Sequence, residues 1–247
     1  MSQALLRVEN LFYDYPEQPV LRGISFEMVE GEKVALIGPN GAGKSTLLLC
    51  LSGLAFGRGE IFINGQSLTK KSASRLQREI GLVFADAEDQ LFMPTLEEDV
   101  AFGPLNLGWS RQQVRQAVQE ALKAMGLEKL ANRSSHHLSD GEKKRAALAT
   151  VLSMQPHIWL FDEPSANLDP RSRNELVAII RSLGGTMIVA THDLDLALQT
   201  CGRCLLLDDG RLVADGEASK VLGDRELMTG HGLEVPLRLL LQKQSRP

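Results

Sequence analysis

The sequence predicts an α/β fold: a mainly parallel sheet flanked by helices, with an N-terminal antiparallel β subdomain and an inserted helical subdomain. Three observations carry this. The apolar runs "KVALIG" (33–38), "IWLFD" (158–162), "TMIVAT" (186–191) and "RCLLLD" (203–208) have the length and unbroken hydrophobicity of strands covered on both faces. Helical segments starting near Asp169 and Leu194 separate the last three runs, the alternation of parallel strands joined by crossovers. The first 30 residues instead alternate apolar and polar positions, as in "LLRVENLFYDY" and "PVLRGISFEM", which is the period of antiparallel strands.

The elements follow in order. After "KVALIG" the chain runs directly into a helix-like "KSTLLLCLSGL". "GEIFINGQ" reads as a strand ending in an Asn-Gly turn. From about 86 to 155 the character becomes helical. "SRQQVRQAVQEALKAMGL" (110–127) has a serine cap and a glycine stop, and "DGEKKRAALATVLSMQP" (140–156) is closed by Pro156. Ser139 and Glu142 ahead of this second helix have capping-box spacing. "VPLRLLLQKQSRP" is a short amphipathic end. These signals give one domain over 1–237, with the helical insert at about 86–155, and a tail at 238–247.

Bulk properties narrow the function. At 247 residues the chain has ample length for a core. Its net charge of -4 gives no general attraction for nucleic acid. No apolar run reaches the roughly 18 residues that a membrane span requires. "MSQALLRVEN" lacks the charged start and apolar block of a signal peptide. The chain is therefore expected to stay on the cytoplasmic side, where it could dock peripherally on a membrane partner. Cys50, Cys201 and Cys204 do not make a disulfide framework, and "CGRC" (201–204) reads as packed small hydrophobes leading into a strand.

"GPNGAGKST" (38–46) fits G-x-x-x-x-G-K-[ST], a loop whose glycines let backbone N–H groups turn inward around phosphate oxygens. It follows a predicted strand and opens a predicted helix, which adds its N-terminal dipole. Lys44 is expected on the β and γ phosphates, and Ser45 on Mg²⁺. Such a loop needs a second carboxylate to order the metal and a group to orient water. Asp162 and Glu163, at the carboxyl end of "IWLFD", are suited to these two tasks, because ligands of open α/β sheets bind at that end. "TMIVATHD" brings His192 to the same edge. A histidine after a strand ordinarily caps or packs; beside a phosphate loop it is read as a γ-phosphate contact.

The order of these motifs, with "LSDGE" (138–142) and "SANLD" (165–169) between them, resembles the ATPase subunit of an ABC transporter. The resemblance spans nearly the whole chain. It implies an ATP-hydrolysing enzyme with ATP and Mg²⁺ as ligands and a P-loop built from Gly38, Pro39, Asn40, Gly41, Ala42, Gly43, Lys44, Ser45 and Thr46. It further implies that Tyr15 stacks on adenine, and that Ser139 and Gly141 touch the γ-phosphate of ATP bound to a second protomer. Asp169 matches a loop that communicates between the two sites. The implied active form is a homodimer with nucleotide sandwiched between protomers. "EDQLFMPTLEEDVAFGPLNLG" (88–108), "HHLSDGEKKR" (136–145), "THDLDLAL" (191–198) and "HGLEVPL" (231–237) are similar to the cobalt/nickel branch of energy-coupling-factor transporters. That similarity implies a transmembrane coupling subunit, contacted around 85–110, and a separate metal-binding membrane subunit.

Two positions depart from the family pattern. Ala85 stands where glutamine usually follows "VF", and an alanine can neither coordinate Mg²⁺ nor hydrogen-bond water. Gln90 matches a different glutamine. Asp140 stands where glycine is usual, and its charge near a nucleotide would cost up to a few kcal/mol, about what like charges a few ångströms apart give at intermediate dielectric. The run Lys143, Lys144 and Arg145 opposes the usual preference for acids in a first helical turn, and is read as a seat for an incoming phosphate. The rival functions are a soluble ABC ATPase of DNA repair or translation, and a metal-binding module built on His136, His137 and the cysteines.

Overall fold

The computed structural model describes residues 4–16 and 18–244. The chain opens with β1 (Leu6–Tyr15) and β2 (Gln18–Met28), which pair antiparallel. β3 (Lys33–Ile37) leads through the glycine-rich loop into α1 (Lys44–Leu51). β4 (Arg58–Ile63) and β5 (Gln66–Ser67) then complete a sheet of order β2-β1-β4-β5. Between β4 and β5, Asn64 and Gly65 both have positive φ, the conformation a tight hairpin turn demands.

A short α2 (Ala73–Leu76) precedes β6 (Ile80–Val83). The insert follows as α3 (Leu96–Asn106), α4 (Arg111–Ala124) and α5 (Asp140–Leu152). Each begins at a capping box, at Thr95, Ser110 and Ser139. β7 (Ile158–Asp162), α6 (Pro170–Ser182), β8 (Thr186–Ala190), α7 (Leu194–Thr200), β9 (Arg203–Asp208) and β10 (Arg211–Glu217) come next. The chain closes with α8 (Ala218–Gly223), α9 (Arg225–Gly230) and α10 (Leu237–Gln244). The larger sheet has the order β10-β9-β3-β8-β7-β6; all its pairs are parallel except β10 with β9.

The parallel strands divide their side chains between two cores with a period of two. Ala35, Ile37, Trp159, Phe161, Met187, Val189, Cys204 and Leu206 face the insert and the C-terminal helices. Their neighbours Val34, Leu36, Ile158, Leu160, Ile188, Ala190, Leu205 and Leu207 face α1 and the antiparallel sheet. α1 is therefore enclosed between two sheets, which explains why "KSTLLLCL" is apolar on all sides. Its buried Leu47, Leu48 and Leu51 contribute roughly 2 kcal/mol each to anchoring the loop it follows.

Some expectations needed correction. α5 ends at Leu152, before Pro156, because the chain unwinds through Gln155 at φ 54; proline disfavours a helical residue before it. β6 was not expected, because its four residues are too short to carry a readable period. The tail boundary at 237 cuts into α10, which starts at Leu237 and packs Leu239 against the core.

Gly81 on β6 has no room for a side chain: a Cβ there would lie 2.2 Å from Val151 Cγ1 and 2.8 Å from Pro156 Cγ. Gly81→Ala should destabilise the fold by about 1–3 kcal/mol through overpacking at the α5–β6 contact, measured as a lowered urea midpoint.

Candidate active site

Strand register gathers the site. Ala190 of β8 pairs with Leu36 of β3 on one side and with Asp162 of β7 on the other. The chain leaving each strand therefore emerges at one carboxyl edge: the glycine-rich loop after β3, Glu163 after β7, and Thr191-His192 after β8. Two strand spacings, about 10 Å, separate β3 from β7. Ser45, at the start of α1, spans this gap and brings its hydroxyl beside the Asp162 carboxylate.

The loop is held from behind. Gly38 sits against β9, where an added Cβ would lie 2.0 Å from the Leu207 carbonyl oxygen. The Gly210 amide donates to the Ala42 carbonyl. The buried Lys44 ammonium donates to the carbonyls of Gly38 at 2.8 Å and Pro39 at 3.1 Å. Burial depresses the pKa of Lys44, against the pull of Glu163 and Asp162. A desolvated cation held only by carbonyls is poised to exchange them for phosphate oxygens.

Asp162 carries a buried Oδ1 with no hydrogen-bond partner among the described residues. Burial pushes its carboxyl pKa up, opposed by the Ser45 hydroxyl. An unsatisfied buried carboxylate oxygen beside a hydroxyl matches the needs of a hard divalent cation, which takes oxygen ligands. The residues present thus fit Mg²⁺.

Glu163 adopts φ 43, a left-handed conformation that a non-glycine residue holds only under constraint. Its amide donates to Ala190 O at 2.8 Å. Its Oε2 lies 2.7 Å from His192 Nδ1 and accepts from the His192 amide at 3.2 Å. Tyr15, 42% exposed at the end of β1, meets Tyr13 edge to face and leaves its ring available. A cleft of 350 Å³ is lined by Tyr15, by residues 40–46 and by Glu163.

Ser139, Gly141 and Asp169 do not line this cleft. Ser139 caps α5 in its box with Glu142. Gly141 abuts α6, where a Cβ would come within 2.6 Å of Ser172 Oγ. Asp169 caps α6 by accepting from the Arg171 and Ser172 amides. The cations after Asp140 each already have a partner, where an open seat for phosphate was expected. Lys143 pairs with Glu88, Lys144 donates to the Ala85 carbonyl, and Arg145 pairs with Glu175. Gln90 is likewise committed: it accepts from the Phe84 amide and donates to Ala147 O and Thr150 Oγ1, so it cannot replace the side chain missing at Ala85. His136 and His137 are exposed, while burial pushes the thiols of Cys201 and Cys204 up to about 11 and about 12. Thiols held so far from ionisation are poor metal ligands.

Sequence reasoning missed Asp193. It caps α7, accepts from Ser165, and receives a two-point hydrogen bond from Arg173 at 2.5 and 2.7 Å. That knot holds the turn carrying His192. Its signal was present in "THDL", an Asx cap before a helix. Gln18 and Val20 also line the cleft and had no signal of their own.

The sequence profile of the ABC transporter family matches residues 21–166. The chain belongs to the ABC transporter family of ATP-binding proteins. The energy-coupling factor transporter ATP-binding protein EcfA of Carboxydothermus hydrogenoformans is 45% identical over 96% of this chain and 89% of its own length. The structure of cbiO1 from Clostridium perfringens, part of the ABC transporter complex cbiONQ, has a TM-score of 0.81 and 34% identity over 98% of this chain and all of that one. A dimeric ATP-binding cassette in a post-hydrolysis state with ADP and Pi has a TM-score of 0.77 and 28% identity, covering 86% of this chain and 98% of that one. The ABC ATPase is an α/β enzyme that binds and hydrolyses ATP, and no helix among its described residues is long and apolar enough to cross a membrane.

In this ABC ATPase, burial raises the Asp193 pKa, and the hydrogen bonds from Arg173 and the Leu196 amide outweigh that and bring it below the ordinary carboxylate range. The pair therefore stabilises fully above the unfolded value of about 4 and fades as pH falls through the folded one. Arg173→Met should cost about 3 kcal/mol at neutral pH. Urea titrations should show this gap narrowing as the medium becomes acidic.

Proposed function

We propose that this ABC ATPase is the ATP-hydrolysing subunit of an energy-coupling-factor-type importer of a transition-metal ion, cobalt or nickel. One observation carries the hydrolytic part: Lys44, Ser45, Asp162, Glu163 and His192 converge on one sheet edge, with an unsatisfied oxygen on Asp162. The kind of transporter is supported by the EcfA relative and the cbiO1 neighbour.

The phosphate-loop amides and the Lys44 ammonium hold the β and γ phosphates. Ser45 and Asp162 would hold Mg²⁺, which when bound draws electron density from the phosphate oxygens. Glu163 orients a water and takes its proton as the water oxygen attacks the γ-phosphorus in line. The bond to the bridging oxygen breaks, and ADP leaves with its electrons. His192 holds Glu163 through Nδ1 and turns its other ring nitrogen toward the γ-phosphate. Tyr15 stacks on adenine. Ser139 and Gly141 approach the nucleotide of a second protomer, and Asp169 links the two sites. Hydrolysis then requires the closed homodimer, a reading supported by the dimeric relative.

The coupling surface is an apolar groove of 610 Å³ lined by Leu54, Leu82, Phe92, Phe102, Leu107 and Met154. Phe92 is 61% and Leu54 58% exposed, a large apolar display for a surface facing only water. A cytoplasmic helix of the transmembrane coupling subunit would cover it. Asp99 lines the groove with one buried oxygen unpartnered, an acceptor for a donor on that helix. A separate membrane subunit would carry the metal.

Glu163→Gln should trap an ATP-bound dimer at micromolar concentration; only monomers in gel filtration with ATP would contradict the scheme. Lys44→Ala should lose about 10²-fold or more in turnover. Cells carrying Glu163→Gln should lose uptake of radiolabelled cobalt or nickel. Phe92→Asp should leave ATPase activity of the free subunit intact and abolish its co-purification with the membrane subunits.

A further inference from the structure

Lys144 is 6% exposed, and its ammonium donates to the backbone carbonyl of Ala85. Lysine is seldom buried to this degree without an anion, since desolvating its charge is costly. No carboxylate of the described residues forms an ion pair with it. Burial depresses its pKa, while the nearby carboxylates of Asp86, Asp162, Glu163 and Asp140 pull the other way. The ammonium is thus within electrostatic reach of both acids of the site.

The surroundings decide what this charge does. Lys144 and Ala85 share a cavity of 600 Å³ with Glu163, Asp140 and Asp86, and Glu163 is the wall it has in common with the phosphate-loop cleft. Its walls carry the carboxylates of Asp86, Glu88, Asp140 and Glu163 against the ammonium groups of Lys143 and Lys144. Lys143 is already paired with Glu88. An excess of acid makes the cavity a poor seat for a free anion, so Lys144 acts as countercharge to the walls. The loop it holds is also the rim of the apolar groove, because Phe84 and Gln90 line that groove and Gln90 is bonded to α5.

We infer that Lys144 is a positioning residue for hydrolysis: its ammonium fixes the 84–87 loop to α5 and supplies, beside Glu163, the polar hold that the methyl group of Ala85 cannot. The inference rests on Glu163 being the residue that takes the proton of water. Lys144 works through the loop and through Glu163, without touching substrate.

Steady-state ATPase measurements on the full chain test this. Lys144→Met should lower kcat about tenfold, less than loss of a direct transition-state donor, with KM for ATP changed by less than about threefold. Lys144→Arg should restore most of the loss, because it returns the charge and a donor. Should the methionine variant fail to fold, Lys144→Gln carries the same expectation. Unchanged kcat in the neutral variants would overturn the inference. So would a loss that arginine does not restore and that tracks a lowered unfolding midpoint, since that is packing alone. Glu163→Gln serves as control: if it turns over normally, the reading of the whole site fails; if it is inactive while Lys144→Met is normal, only the role of Lys144 fails.

Discussion

The chemistry of this ABC ATPase depends on one shared register. Ala190 is paired on both sides, and because parallel strands climb together, everything after Leu36, Ala190 and Asp162 leaves the sheet at the same level. A one-residue slip in β7 would turn Asp162 to the opposite face. It would also break the Glu163 amide bond to Ala190, on which the left-handed backbone of Glu163 depends. The two cores enforce the register, since each strand buries alternate side chains on both faces and no strand can slide without exposing or clashing with a full row.

Anchoring of the phosphate loop follows from the same layering. A helix closed between two sheets cannot tilt, and its first residues carry Lys44 and Ser45. The loop's other end is wedged against β9 and tied to the turn before β10. The loop is therefore stiff before any ligand arrives, with its lysine parked on its own carbonyls. Among the described residues, the buried side-chain oxygens left without a partner are one on Asp162 in the site and one on Asp99 in the groove, both places where a ligand would satisfy them.

The helical insert adds a second surface to this rigid edge. α5 runs from its cap at Ser139 to Val151 against β6, and on the way its side chains and backbone hold the 84–87 loop through Lys144 and Gln90 through Ala147 and Thr150. The groove and the site are thus separated by one loop with bonds to one helix.

Much of this was legible in the sequence. Apolar runs of strand length, the glycine loop, the serine cap at Ser110 and the capping box at Ser139 are local signals, governed by backbone sterics and burial within a few residues. So were Lys44, Ser45, Asp162, Glu163 and His192, because each follows directly from a strand end or a loop motif. β6 was hidden, since four residues carry too little period to read. Asp193 with Arg173 and Gln90 with α5 were hidden too, because their partners lie 20 and more residues away. The cations after Asp140 show the limit most clearly. By themselves they looked like a seat for phosphate; the folded chain gives each a partner, since whether a charge is spent or free depends on which distant acids and carbonyls the tertiary structure brings beside it.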